Sequence, residues 1–173
     1  MQQCAYWHDP VTFYKRTLGY APQTPQIYYN LGCVYNNMGR YIEAEATYKK
    51  AIELNPKFSS AYNNLGNIYY YLRRYSDAVK MYEKAIESNP KYCLSYNNLG
   101  TLYGNTGDLS GAVTMYKRAI ERDPYYAEAY FNLAVTYFGM KEYNLAIKNC
   151  DKAVELGYKV PARFLNSLSA YRK

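Results

Sequence analysis

The sequence predicts an all-α protein made of repeated helix hairpins, and three observations carry that reading. Four segments align without gaps when the chain is shifted by about 34 residues, a period at which helical repeat proteins are built. Inside each segment the apolar residues recur at helical spacing. Asn-Pro or Asp-Pro closes the first three segments, at Pro56, Pro90 and Pro124, because the residue before a proline is pushed out of α geometry. In register, Leu31, Leu65, Leu99 and Leu133 coincide, then Gly32, Gly66, Gly100 and Ala134, then Tyr35, Tyr69, Tyr103 and Tyr137. Further on come Ala44, Ala78, Ala112 and Ala146, then Tyr48, Tyr82, Tyr116 and Cys150, then Ala51, Ala85, Ala119 and Ala153.

Each element can be justified in chain order. Tyr14 and Pro22 continue the register upstream, so residues 9–21 read as the second helix of a truncated preceding unit spanning 1–24, with Asp9 as cap and Pro10 in the first turn. That half unit leaves a side uncovered and reads as cut from a longer array. Four full units are expected at 25–58, 59–92, 93–126 and 127–160. Tyr62, Leu65, Gly66 and Tyr69 form the stripe of a first helix, and Ala78, Tyr82, Ala85 and Ile86 that of a second. The small Gly66 and Ala78 should let the two cross closely. Between the helices Gly39 and Gly107 supply a left-handed residue. Arg73 and Lys141 stand at the same place, so either they adopt that conformation at a cost of about 1 to 2 kcal/mol or those turns are built differently. Cys150 replaces a large aromatic, which predicts looser packing in the fourth unit. Phe164, Leu168 and Tyr171 make an apolar stripe before a basic end, a terminal capping helix over 161–173.

With 173 residues, 49% of them hydrophobic and 25 of them Tyr, the chain can bury a core. The net charge of +7 would suit an acidic partner if the charges were gathered together. Cys4, Cys33, Cys93 and Cys150 show no metal-ligand spacing and read as free thiols. There is no signal-peptide pattern and no apolar run of about 18 residues, so the chain reads as soluble as given, either cytoplasmic or the extracytoplasmic tail of a membrane protein. Catalysis has little to stand on. The single histidine, His8, lies outside the full units, and carboxylates such as Glu43, Glu45, Asp77, Glu83 and Glu87 have a lysine or arginine three or four residues away. No phosphate-binding glycine loop, nucleophile elbow or metal motif occurs, so neither an enzyme activity nor a cofactor or metal is expected.

The recurring Leu-Gly-x-x-Tyr, Ala, Tyr, Ala and Pro over residues 25–160 resemble the tetratricopeptide-repeat family in order and spacing, with Tyr28, Tyr62, Tyr96 and Tyr130 where that family often has Trp. The resemblance implies a right-handed superhelical solenoid whose first helices line a concave groove, and a protein-protein interaction scaffold that binds a protein or an extended peptide there. Asn30, Asn64, Asn98 and Asn132 form a ladder, one per unit, and a carboxamide can pair with a peptide N–H and C=O together. The competing reading is that each asparagine bonds to the neighbouring helix. Asn63, Asn97 and Asn67 extend the candidate set, with Tyr29, Tyr71 and Phe131 as aromatic anchors. The groove lacks the cations that family members use to clamp a chaperone's terminal carboxylate: the matching positions are Tyr29, Cys33, Asn64, Leu94 and Asn98. The basic residues fall instead on second helices and turns, including Lys49, Lys50, Lys80, Lys84, Lys117, Arg118, Lys148 and Lys152, a pattern of a solvated face rather than a nucleic-acid track.

A shorter resemblance runs from Tyr6-Trp7-His8-Asp9-Pro10 through Phe13 to Leu18, Pro22 and Tyr29-Asn30-Leu31-Gly32. It is similar to the junction between the last membrane span and the C-terminal repeats of protein O-mannosyltransferase-like membrane proteins. That implies an accessory, acceptor-binding tail of a membrane glycosyltransferase, with a membrane domain elsewhere in a full-length protein. Three classes therefore stand in order: a protein-binding scaffold, such an accessory tail, and a nucleic-acid binder. The uncovered edge also predicts stacking between copies.

Overall fold

Asp9 opens the first helix of the computed structural model, which describes residues 9–172. Its carboxylate accepts from the backbone N–H of Val11 (3.1 Å) and Thr12 (3.2 Å) and from the Thr12 hydroxyl, and Pro10 occupies the first turn, where its missing N–H costs nothing. The expectations that fall on Cys4, Tyr6, Trp7 and His8 lie outside the described residues. Ten helices and no strand occur among those residues. The chain divides between Pro90 and Lys91 into two compact units. The first holds α1 (Pro10–Tyr20), α2 (Pro25–Asn37), α3 (Tyr41–Leu54), α4 (Ser59–Tyr71) and α5 (Tyr75–Ser88). The second holds α6 (Cys93–Asn105), α7 (Leu109–Arg122), α8 (Ala127–Gly139), α9 (Tyr143–Glu155) and α10 (Ala162–Ser169). Within each unit, helix hairpins α2–α3 and α4–α5, or α6–α7 and α8–α9, stack side by side.

The hairpin turns share one construction. Arg73 and Lys141 do take the left-handed conformation, at φ 58° and 64°, beside Gly39 at 71° and Gly107 at 91°. In all four turns the residue that follows donates its N–H to a first-helix tyrosine carbonyl: Arg40 to Tyr35, Arg74 to Tyr69, Asp108 to Tyr103 and Glu142 to Tyr137, at 2.8 to 2.9 Å. This bond satisfies a carbonyl that the helix end would leave orphaned, and it persists in two turns where a Cβ makes the geometry costly. The second helices end as the prolines dictate, with Asn55, Asn89 and Asp123 extended at φ −139°, −147° and −139°. Asn55 and Asp123 then accept through their side chains from the N–H of Lys57 and Tyr125, both at 3.0 Å.

The hairpin cores rest on one contact. A Cβ built on Gly32, Gly66 or Gly100 would lie 2.6, 2.6 or 2.8 Å from the ring of Tyr48, Tyr82 or Tyr116. The glycines are therefore there to admit the second helix's tyrosine ring, and those rings are 0%, 2% and 4% exposed. In the last hairpin both partners change together: Ala134 faces the core where glycine stood, and Cys150 stands where the ring stood. The expected loosening does not follow. Ala134, Cys150 and Leu168 of α10 are each 0% exposed in one cluster, with Phe138, Val160 and Phe164 packed around it. The capping helix supplies side-chain volume to this end of the core. It is also pinned from outside, by Tyr171 stacked on Tyr143 (centroids 3.6 Å apart) and by Arg172 paired with Asp151.

Two outcomes follow. Arg73→Gly and Lys141→Gly should each raise the unfolding free energy by about 0.5 to 1 kcal/mol, the relief of left-handed strain less the extra chain entropy of glycine, read as a shift in urea midpoint at unchanged slope. Gly66→Ala should cost about 1 to 3 kcal/mol by overpacking in the native chain and much less in a Tyr82→Cys background, a coupling visible in a double-mutant cycle.

Candidate functional site

The first helices α2, α4, α6 and α8 carry the sequence-predicted residues, and within each helix these fall on three register positions. Tyr29, Asn63, Asn97 and Phe131 share one. Asn30, Asn64, Asn98 and Asn132 share the next. Cys33, Asn67, Thr101 and Val135 share the third.

The first of these positions lies three residues before the core glycine or alanine, on the flank of the buried stripe. Asn63 and Asn97 are 3% and 1% exposed. They are structural amides beyond a ligand's reach, which corrects their assignment as peptide-binding residues. Phe131 is covered as well: Tyr158 stacks on it at 4.8 Å and Phe164 meets its edge at 5.6 Å, so it is no open anchor. Tyr29 is half-buried with its ring against Phe58 (5.0 Å) and Tyr48 (5.8 Å). Tyr71, 64% exposed and stacked on Tyr41 at 6.3 Å, is the anchor candidate that faces solvent.

The ladder asparagines differ from one another. Asn64 is committed to the neighbouring repeat: its amide N–H groups are shared among the hydroxyls of Tyr29 (3.2 Å) and Tyr48 (3.4 Å) and the Cys33 sulfur (3.7 Å), while its Oδ1 accepts from Asn63 at 3.3 Å. Asn132 donates to Asn97 Oδ1 at 3.0 Å, and among the described residues nothing donates to its own side-chain oxygen. Asn30 accepts from Gln26 on its own exposed helix face at 2.9 Å, and among the described residues its side-chain N–H groups meet no acceptor. Asn98 is half-buried. Both readings of the ladder thus have examples: Asn64 and the donor side of Asn132 tie repeats together, and Asn30 and the acceptor side of Asn132 remain available.

The third position explains why the row is polar in three hairpins. Tyr48 donates its hydroxyl to Cys33 (3.4 Å), Tyr82 to Asn67 (2.8 Å) and Tyr116 to Thr101 (3.2 Å). A phenol driven into the hairpin core needs a partner at its far end. Where Cys150 replaces the phenol, Val135 replaces the acceptor. Burial above all pushes the Tyr48 and Tyr82 hydroxyls well above the usual phenol range, with the Cys33 bond adding to the rise at Tyr48. Asn67 is thereby occupied at its oxygen by Tyr82.

The charges lie elsewhere. Within the four first helices Glu128 is the single charged residue. On the second helices lysines pair along the helix: Lys49 with Glu45, Lys50 with Glu53 and Lys152 with Glu155, at 2.6 to 2.7 Å. Glu45 also accepts from Tyr69 at 3.0 Å and lies 3.5 Å from Arg74, joining α3 to the next hairpin. Among the described residues no group of three His, Cys, Asp or Glu could hold a metal ion, and no helix is long and apolar enough to cross a membrane. Removing the Asn64 amide by Asn64→Ala takes a donor from the Tyr29 and Tyr48 hydroxyls and from the contact between the two repeats. It should cost about 1 to 3 kcal/mol in thermal or urea unfolding, whereas Asn30→Ala should cost under about 0.5 kcal/mol.

The tetratricopeptide-repeat profile matches residues 25–58, 59–92 and 127–156, and two further profiles of the same repeat match 81–114 and 103–141. No curated protein matches in the sequence search. Among solved structures, a crystal structure of MamA is similar at 27% identity and TM-score 0.74, with 84% of this chain and 85% of that one covered. PilF of Pseudomonas aeruginosa (18%, TM-score 0.78, 85% and 67% covered) and a thermophilic TPR protein of Thermus thermophilus (22%, TM-score 0.75, 92% and 87% covered) share the fold.

Proposed function

The chain belongs to the tetratricopeptide-repeat family, and from that premise we propose that it is a non-catalytic protein-protein interaction scaffold that binds an extended peptide on its first-helix faces. The family generally mediates contacts between proteins. The observation that carries the reading here is the division of charge: the first helices are neutral but for one carboxylate and present amides and tyrosine, while the second helices bear paired lysines. A neutral surface of amides suits a peptide backbone, whose N–H and C=O groups are themselves neutral dipoles. It does not suit a phosphate backbone, which needs cations in a row.

Supporting groups differ between the two units. In the first, the unused donors of Asn30 lie on a face that also carries the exposed ring of Tyr71. In the second, the acceptor of Asn132 is supplied by α8, and Asn98 holds the same register position on α6. Asn64 and Asn67 act one step back, by holding Tyr29, Tyr48 and Tyr82 in place. The alternative of an acceptor-binding tail of a membrane glycosyltransferase would use the same faces. Stacking between copies would use others, and light scattering that stays monomeric at high concentration would count against it.

The test is binding of the folded chain to an immobilised library of random nonapeptides, with the pair Asn30→Ala and Asn132→Ala as the variant. Binding should weaken about 5- to 150-fold, from loss of two hydrogen bonds of about 0.5 to 1.5 kcal/mol each, while circular dichroism stays unchanged. Binding equal in wild type and variant would move the ligand off these faces.

A further inference from the structure

Glu128 is the one formal charge on the first helices, and its surroundings differ from those of every ion-paired carboxylate in the chain. It is exposed, and among the described residues no cation pairs with it. Its two oxygens are met only at long range, Oε1 by the Asn97 amide at 3.5 Å and Oε2 by the Tyr126 hydroxyl at 3.4 Å. These bonds aim the carboxylate without saturating it, because a carboxylate offers about four lone-pair sites. The Asn97 amide is itself fixed from behind, since its oxygen accepts from Asn132 at 3.0 Å. Two tyrosines neighbour the group: Tyr126 at the helix start, whose hydroxyl meets it, and Tyr158, which stacks on Phe131 at 4.8 Å and feels its charge. Burial pushes the Tyr126 and Tyr158 hydroxyls up, and the Glu128 charge adds to both shifts, which places the carboxylate within electrostatic reach of both rings.

A free carboxylate flanked by aromatic faces is a receptor for an organic cation. The carboxylate supplies charge and hydrogen-bond acceptors, and the ring faces attract a guanidinium or ammonium through their quadrupoles. We propose that Glu128, with Tyr126 and Tyr158, forms a subsite for an arginine or lysine side chain of a peptide bound on the first-helix face of the second unit. This rests on the peptide-binding reading above and gives it a specificity. A first-turn acid also favours its helix electrostatically, but that role needs no aromatic surround. The position matters because the chain as a whole carries +7 and repels cations at long range. Glu128 therefore selects locally, among ligands already held through neutral contacts, rather than steering them from solution.

The experiment titrates the intact chain with two acetylated, amidated heptapeptides, Ala-Ala-Gly-Arg-Gly-Ala-Ala and the same peptide with neutral citrulline for arginine. NMR follows the Asn97 and Asn132 side-chain amides and the Tyr158 ring. The arginine peptide should bind about 3- to 10-fold tighter, a preference that added salt diminishes. Glu128→Gln should abolish that preference while leaving circular dichroism and citrulline-peptide binding unchanged, and Glu128→Asp should retain part of it. Equal affinity for the two peptides in the wild type, or an arginine preference that survives Glu128→Gln, overturns the cation subsite and leaves peptide binding standing. No shift from either peptide at millimolar concentration overturns both.

Discussion

The contact of a tyrosine ring on a glycine sets the geometry of three of the four hairpins, and much else in the structure is a consequence of it. Burying Tyr48, Tyr82 or Tyr116 at a helix crossing requires a partner residue without a Cβ, and Gly32, Gly66 and Gly100 meet that requirement. The buried ring has a hydroxyl at its far end, which must be satisfied where it emerges on the first-helix face, and Cys33, Asn67 and Thr101 accept it there. Part of the polar character of that face is thus an outcome of core packing. In the last hairpin the whole set changes in concert, to Ala134, Cys150 and Val135. The space goes to Leu168 and its neighbours in the capping helix, so at this position the second unit exchanges a hydrogen-bonded phenol for apolar contacts.

Most of the architecture was legible because it rests on local rules. The 3.6-residue spacing, the residues before proline and the Asp9-Pro10 start each report a backbone preference that acts within a few residues. The turns at Arg73 and Lys141 were legible only as alternatives, because nothing local says whether a left-handed residue with a Cβ will be tolerated. The bond from Arg74 N–H to the Tyr69 carbonyl, repeated in every turn, shows that tertiary geometry overrode the penalty. The expectation of a loose fourth unit failed for a related reason. It treated Cys150 alone, whereas Ala134 and Leu168 compensate from 16 positions upstream and 18 downstream, separations that no helical period joins.

The candidate site was less legible. Asn63 and Asn64 are adjacent and chemically identical, yet one is buried and one half-exposed, because a turn of 100° moves a side chain from the flank of the core stripe to the open face. A wheel drawn for a lone helix places Asn63 and Asn97 outside the stripe. In a stacked hairpin neighbouring helices widen the buried sector, and both are enclosed. Phe131 was read as an anchor because Tyr158 and Phe164 follow it by 27 and 33 residues, out of reach of any local pattern. One signal was available and unread: the coincidence of phenol and polar acceptor at paired positions in three units, and of neither in the fourth.

These corrections bear on how an asparagine row can work at all. A row in which every amide gripped a ligand would take the Asn64 donor from the Tyr29 and Tyr48 phenols, and a row in which every amide served the fold would offer a ligand nothing. Asn64 pays the structural cost in the first unit, and Asn30, whose bond to Gln26 is exposed and exchangeable, can afford to be used. In the second unit a single chain of bonds runs from Asn132 through Asn97 to Glu128, so the amide nearest the open face and the carboxylate are oriented by one network. Asn97, enclosed at 1% exposure, thus orients two groups at once, one on each side of it.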